Sequence, residues 1–97
     1  MSSQAAQPGV EMTGFQGQIP PLEPLFTEVI ATLALAAHAY LSDHEGREPD
    51  FRSADTAIEV ATVAFERIKE RLRPDERLAI AQMLTETRLT FVRKRGM

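Results

Sequence analysis

Ala54, Ile58, Ala61, Phe65, Ile68 and Leu72 follow one another at alternating steps of four and three residues. Those steps place all six on one stripe of an α-helix about five turns long. An apolar stripe of that length is costly to leave in water, so the rest of the chain must supply a surface to cover it. The segments Leu25 to Leu41 and Leu78 to Val92 carry the other apolar stripes, and a three-helix unit is the economical way to cover all three. The expected fold is therefore all-α, with helices over about 24–42, 51–72 and 74–95 forming one domain from residue 24 onward, behind a flexible segment 1–23.

Local signals set those bounds. Residues 1–23 are rich in Gln, Ser, Gly and Pro, with Pro8-Gly9, Gly14, Gly17 and Pro20-Pro21 breaking helical periodicity. Met12, Phe15 and Ile19 are the side chains through which this segment would dock on a partner. Pro24 fits the first turn of a helix, where its missing amide hydrogen has no intrahelical acceptor to lose. Along the first helix Leu25, Val29, Leu33, Ala36 and Tyr40 make one stripe, which Phe26, Ile30, Ala37 and Leu41 broaden to nearly half the circumference. Its many alanines would let another backbone approach closely. The polar run Ser42 to Phe51 ends that helix, and Asp50 or Ser53 can cap the next, Asp50 being favoured. Pro74, followed by Asp75 and Glu76, breaks the second helix and starts the third with acids at the positive end of its dipole. So short a link makes the last two helices antiparallel neighbours.

The third helix carries two stripes. Ile80, Leu84, Thr87 and Phe91 mark one face, while Leu78, Leu89 and Val92 lie 120° or more away. A single hairpin cannot cover both, which argues for association. The residues expected to form a subunit or partner surface are Phe26, Ile30 and Leu41 of the first helix with Leu78, Leu89 and Val92 of the third.

Charge adds a second asymmetry. The chain is net −3, but residues 1–59 hold nine acids and two bases (−7) while residues 60–97 hold five acids and nine bases (+4). Opposite ends of that kind can steer faces together, within the fold or between copies. Arg93, Lys94 and Arg95 could alternatively contact an anion such as RNA, assisted by Arg71, Arg73, Arg77 and Arg88. Overall acidity and the lack of tryptophan speak against that alternative.

Chemistry is sparse. With no cysteine, disulfides and thiolate metal sites are excluded. His38 and His44 stand six residues apart without a third ligand, and the acidic loop at Asp43 to Asp50 lacks the ligand spacing of a calcium-binding loop. No nucleophile–base set or glycine-rich phosphate cradle occurs, so no catalytic residue, metal or cofactor is expected and the chain reads as non-enzymatic. Residues 1–18, with one charge and no apolar run, do not read as a signal sequence, and the first helix, interrupted by Glu28 and His38, is not expected to span a membrane. A cytoplasmic interaction module follows, one that self-associates and binds another, unidentified protein.

The chain reads in order Ile19-Pro20-Pro21, Phe26, Thr32-Leu33-Ala34, Ala54 to Ile58-Glu59, Arg71-Leu72-Arg73-Pro74-Asp75-Glu76 and Arg88-Leu89-Thr90-Phe91-Val92. In the order and spacing of these features the segment Phe26 to Val92 resembles a family of short bacterial proteins known as domain of unknown function 1844. Glu59 stands where the family pattern has Asp, and Arg73-Pro74 replaces a Thr-containing turn. The resemblance implies an all-helical cytoplasmic protein with no catalytic residues to carry over. It also implies that the acid after Ile58 meets the arginine of Arg88-Leu89, a Glu59–Arg88 ion pair across the hairpin.

Overall fold

A computed structural model describes residues 19–43 and 46–96. Within them the chain forms three α-helices and no strand: α1 (Leu22–Leu41), α2 (Phe51–Ile68) and α3 (Pro74–Arg95), with a 3-10 turn over Lys69–Arg71 extending α2. The all-α three-helix architecture expected from the periodicity is the fold observed.

The helix boundaries follow backbone chemistry. α1 starts at Leu22, two residues earlier than expected, and Pro24 occupies its first turn, where the amide it lacks would have gone unbonded. The Asp50 carboxylate accepts from the Ser53 amide at 3.0 Å and from the Ser53 hydroxyl at 2.8 Å, capping α2. The Asp50 amide in turn donates to the Tyr40 carbonyl at 2.8 Å, tying the start of α2 to the end of α1. Gly46, with φ of +75°, supplies the left-handed residue within that connection. At α3, Pro74 is the first helical residue and the Glu76 carboxylate accepts the Arg73 amide at 3.1 Å. That second contact supplies half of a capping box.

All six seam residues are buried, Ala54, Ile58, Ala61, Phe65 and Ile68 on α2 and Leu72 in extended backbone just past the 3-10 turn, so the α-helix ends at Ile68 and not at 72 as the spacing predicts. They face both neighbours. Toward the Leu72 end they meet Ile30 of α1 with Ile80 and Leu84 of α3, and toward the Ala54 end they meet Ala37 and Leu41 of α1. Phe91 of α3 closes the latter end by setting its ring edge-on to Phe51, centroids 5.8 Å apart and planes at 87°, a favoured aromatic geometry. α1 and α2 form the most extensive pairing of the three. The hairpin at the centre of the fold is therefore α1–α2, with α3 laid antiparallel to α2 along one side of it.

The sequence reading of α1 needs one correction. Ile30 and Leu41 are fully buried and Phe26 is half-buried against the core, so these residues hold the bundle together instead of facing a partner. The stripe Leu25, Val29, Tyr40, expected as the centre of the buried side, is the exposed one. Buried Ile30, Ala34, Ala37 and Leu41 lie about 100° round the helix from it. The choice follows from size. Ala34 and Ala37 are small enough to let α2 come close, with half-buried Leu33 packed at the margin of the core, whereas Tyr40 would hold α2 off.

Ile30→Ala should therefore lower unfolding free energy by about 2–5 kcal/mol through the lost transfer energy and the cavity left behind. Leu35→Ala, at a residue 72% exposed on the same helix, should change it by no more than about 0.5 kcal/mol. Urea denaturation of the two variants measures both, and equal losses would mean that α1 is rotated from the orientation described.

Candidate interaction surface

α3 covers one side of the α1–α2 hairpin and leaves the other open. On the open side α1 presents Leu25, Val29, Leu33, Ala36 and Tyr40, and α2 presents Ser53, Thr56, Val60 and Val63. Between them runs a shallow depression floored by Leu33, Ala36, Ala57 and Val60, continued along α1 by Leu25 and Val29. Of these, Val29 is 42%, Tyr40 43%, Val60 50% and Val63 56% exposed. The helical repeat explains the alignment: on α2 the steps from Ser53 through Thr56, Val60 and Val63 to Arg67 are three or four residues, a second stripe beside the buried seam. The face is thus apolar along the middle of both helices. The charged groups at its margins are Arg52, Glu59 and Arg67 on α2 and Glu28 at the edge of α1. None of these makes an ion pair within 4.0 Å among the described residues.

The other apolar surface lies on α3. Leu78 (60%), Leu89 (52%) and Val92 (63%) are exposed on the side turned away from the bundle. α1 packs against the opposite face of α3 and does not cover them. Gln82 and Glu86 stand on the same outer side, so these three side chains are separate apolar points, unlike the continuous face of the hairpin.

The basic residues are largely engaged within the fold. Arg71 donates to Glu23 at 2.8 Å, Arg73 reaches Asp75 at 3.2 Å, and Arg77 lies 3.7 Å from Glu70. Lys94 is 3.9 Å from Asp43, Arg93 reaches the Thr90 hydroxyl at 3.4 Å, and the Arg95 guanidinium lies over the Phe91 ring at 5.7 Å. The cluster Arg93, Lys94, Arg95 therefore spreads around the end of α3 and does not converge on one anion.

Arg88 does not pair with Glu59. Its guanidinium donates to the Thr62 hydroxyl, which itself donates to the Ile58 carbonyl at 2.8 Å, and no Glu59–Arg88 contact within 4.0 Å occurs. The reason is angular. Thr62 follows buried Ile58 by one turn and stays toward α3, whereas Glu59, the next residue, is swung about 100° off that direction.

His38 meets α3 through Thr87. The buried Thr87 hydroxyl donates to the Met83 carbonyl at 2.9 Å, and the His38 Nε2 lies 3.2 Å from the same oxygen. With the hydroxyl proton committed to Met83, the matching tautomer is the one in which His38 donates. Thr87 is the one buried polar side chain of the described core, and its partners satisfy it. Among the described residues no three of His, Asp and Glu converge as a metal site. His44, Met12 and Phe15 lie outside the described residues, and Ile19 is exposed.

α1 is long and apolar enough to cross a membrane by length and composition. Here its Ile30, Ala34, Ala37 and Leu41 are spent on the bundle, and its remaining apolar surface is divided between the open face just described and Leu35 on its outer side. Comparison with protein-family models, with curated proteins and with solved structures returns no match for this chain.

Two carboxylates are held below their usual range. Asp50 is lowered first by the Ser53 amide, then by the Ser53 hydroxyl and nearby Arg52. Glu23 is lowered first by its own backbone amide, which desolvation opposes, and further by the hydrogen bond and charge of Arg71. A depressed carboxylate stabilises the fold above its unfolded pKa and loses that contribution as pH falls through the folded value. Stability should accordingly decline on acidification below about pH 4. Asp50→Asn retains a capping acceptor but cannot titrate, so its urea midpoint should fall less steeply with acid than that of the unaltered chain. An unchanged acid slope would show that Asp50 does not contribute to it.

Proposed function

We propose that this chain is a non-enzymatic helical interaction module that acts by docking its α1–α2 face onto helices of another polypeptide. The observation that carries this reading is the continuity of the exposed apolar face across two helices. Single exposed leucines are ordinary on a protein surface, whereas a contiguous apolar strip rimmed by polar groups marks a contact surface. The strip also suits a helix. It is a groove between two parallel cylinders, apolar along its floor and polar at its edges, which is the form that takes an amphipathic helix at i, i+3, i+4 and i+7.

Shallow burial supports the same reading. Of the thirteen buried hydrophobic residues among those described, five are alanines: Ala34, Ala37, Ala54, Ala57 and Ala61. Each contributes little apolar area, so the bundle gains less from its own core than its helix count suggests. Covering the open face adds burial where it is missing. The alternative, an accessory RNA-binding role for the basic end of α3, has less support because Lys94 and Arg95 are occupied by Asp43 and Phe91. Cytoplasmic location accords with this reading.

A photoreactive side chain at position 56, on the rim of the groove, should form adducts with polypeptide. The same group at position 82, on the outer side of α3, should form few. Val60→Glu should abolish the adducts from position 56 while leaving far-ultraviolet circular dichroism unchanged, because Val60 is half exposed and its side chain can turn a carboxylate to water. Equal labelling from positions 56 and 82, or labelling indifferent to Val60→Glu, would remove this surface from the reading.

A further inference from the structure

We infer that the occupant of the α1–α2 face is a second copy of the same chain, packed face to face about a two-fold axis that runs along the helices. This inference rests on the proposal that the face is a docking surface and adds what docks there and in which orientation.

Charge placement selects the arrangement. Glu23 pairs with Arg71, so the start of α1 and the end of α2 lie side by side. Glu28 and Arg67 therefore occupy the same end of the face, and both are exposed and without an ion pair among the described residues. Arg52 lies at the other end, beside Tyr40. Two face-to-face arrangements have two-fold symmetry. With the axis across the helices, each α2 lies on the partner copy's α2 in reverse, which brings the Arg52 end onto the Arg67 end and sets like charges together. With the axis along the helices, each α1 lies on the partner copy's α2 and the same ends coincide. Glu28 of each copy then comes to Arg67 of the other, twice over, and the Tyr40 ring comes beside Arg52 of the other, a cation–π partner. Like-charge contact disfavours the first arrangement and opposite charge favours the second.

Shape and size agree. In the second arrangement every neighbouring pair among the four central helices is antiparallel, because α1 is already antiparallel to α2 within each copy. Antiparallel neighbours set helix dipoles head to tail. Ala36, Thr56 and Ala57 leave room along the groove for Leu33 and Val60 of the other copy. The face is about 25 Å long and two helix diameters wide, so a pair would bury on the order of 1,000 Å² in total. That is near the smallest area expected of a specific interface, consistent with a dimer that forms reversibly.

The test uses the full chain in sedimentation equilibrium over a range of concentrations, with photo-cross-linking from position 56. The expected result is a monomer–dimer equilibrium and a cross-linked product of twice the chain mass. Glu28→Arg and Arg67→Glu should each weaken dimerisation by about tenfold or more, since each alters two symmetry-related pairs. The combined variant Glu28→Arg with Arg67→Glu should recover most of the original affinity, an outcome that a general loss of folding cannot produce. The inference is overturned by a chain that stays monomeric at all concentrations, by an adduct joining position 56 to residues 1–18 of the same chain, or by a monomer that sediments with lipid vesicles. A dimer lost in Val60→Glu but unaffected by the charge exchange would overturn this pairing while leaving the docking surface intact. A dimer indifferent to both would overturn both.

Discussion

The close approach of α1 to α2 is the contact on which the rest of this bundle depends. Ala34 and Ala37 on one side and Ala54, Ala57 and Ala61 on the other are all buried, and small side chains at a helix crossing let two backbones approach and fill the space with main chain. Dispersion between closely spaced backbones then replaces part of what larger side chains would give. Once the alanines set the separation, Ile30 and Leu41 are fixed as inward residues, and Ile58, Phe65 and Ile68 reach past them to α3. The same constraint decides what is left outside. A helix that presents its small residues to the core has its larger ones, Leu25, Val29 and Tyr40, on the adjoining side.

α3 plays a different part. It carries apolar residues on two opposed sides, and only the side with Ile80, Leu84 and Thr87 is buried. Its contact with the hairpin is completed by polar groups on two sides and at two levels: Arg88 on Thr62 and Thr87 beside His38 at one, and Lys94 near Asp43 at the other. Such contacts contribute less energy than apolar burial but fix register, because each can be made in only one position along the helix. Phe91 against Phe51 adds a specific ring geometry at the same end. The helix is thereby located along the hairpin with few buried side chains.

Much of this was legible from residue order. The four-three spacing from Ala54 to Leu72 identified the face of α2 that is buried, and Pro74 with Glu76 identified where α3 begins. Asp50 as a cap followed from the side chain's reach to a free amide. The orientation of α1 was not legible in the same way. Its apolar residues occupy two stripes about 100° apart, so periodicity alone permits either to face inward, and the choice depends on what α2 and α3 present to it. Counting small residues would have helped: the stripe through Ala34 and Ala37 is the one that fits against Ala54, Ala57 and Ala61. The open face was hidden for that reason, since Leu25, Val29 and Tyr40 read as core until the alanines claimed the inner side. Glu59 and Arg88 show the limit of pairing opposite charges by sequence position, because one residue of offset on a helix turns a side chain to a different neighbour.

α3 runs parallel to α1, so residue 19 and residue 96 sit at opposite poles of a bundle about 30 Å long. Two copies related by an axis along the helices would share those poles. The pair would have a direction: the segments preceding α1 would emerge together at one pole, and the Arg93, Lys94 and Arg95 ends would stand together at the other. A particle of that form offers two copies of any weakly binding segment within a few nanometres of each other at one pole only. It could therefore gain from bivalent attachment, with everything it holds there kept a bundle's length from the basic ends.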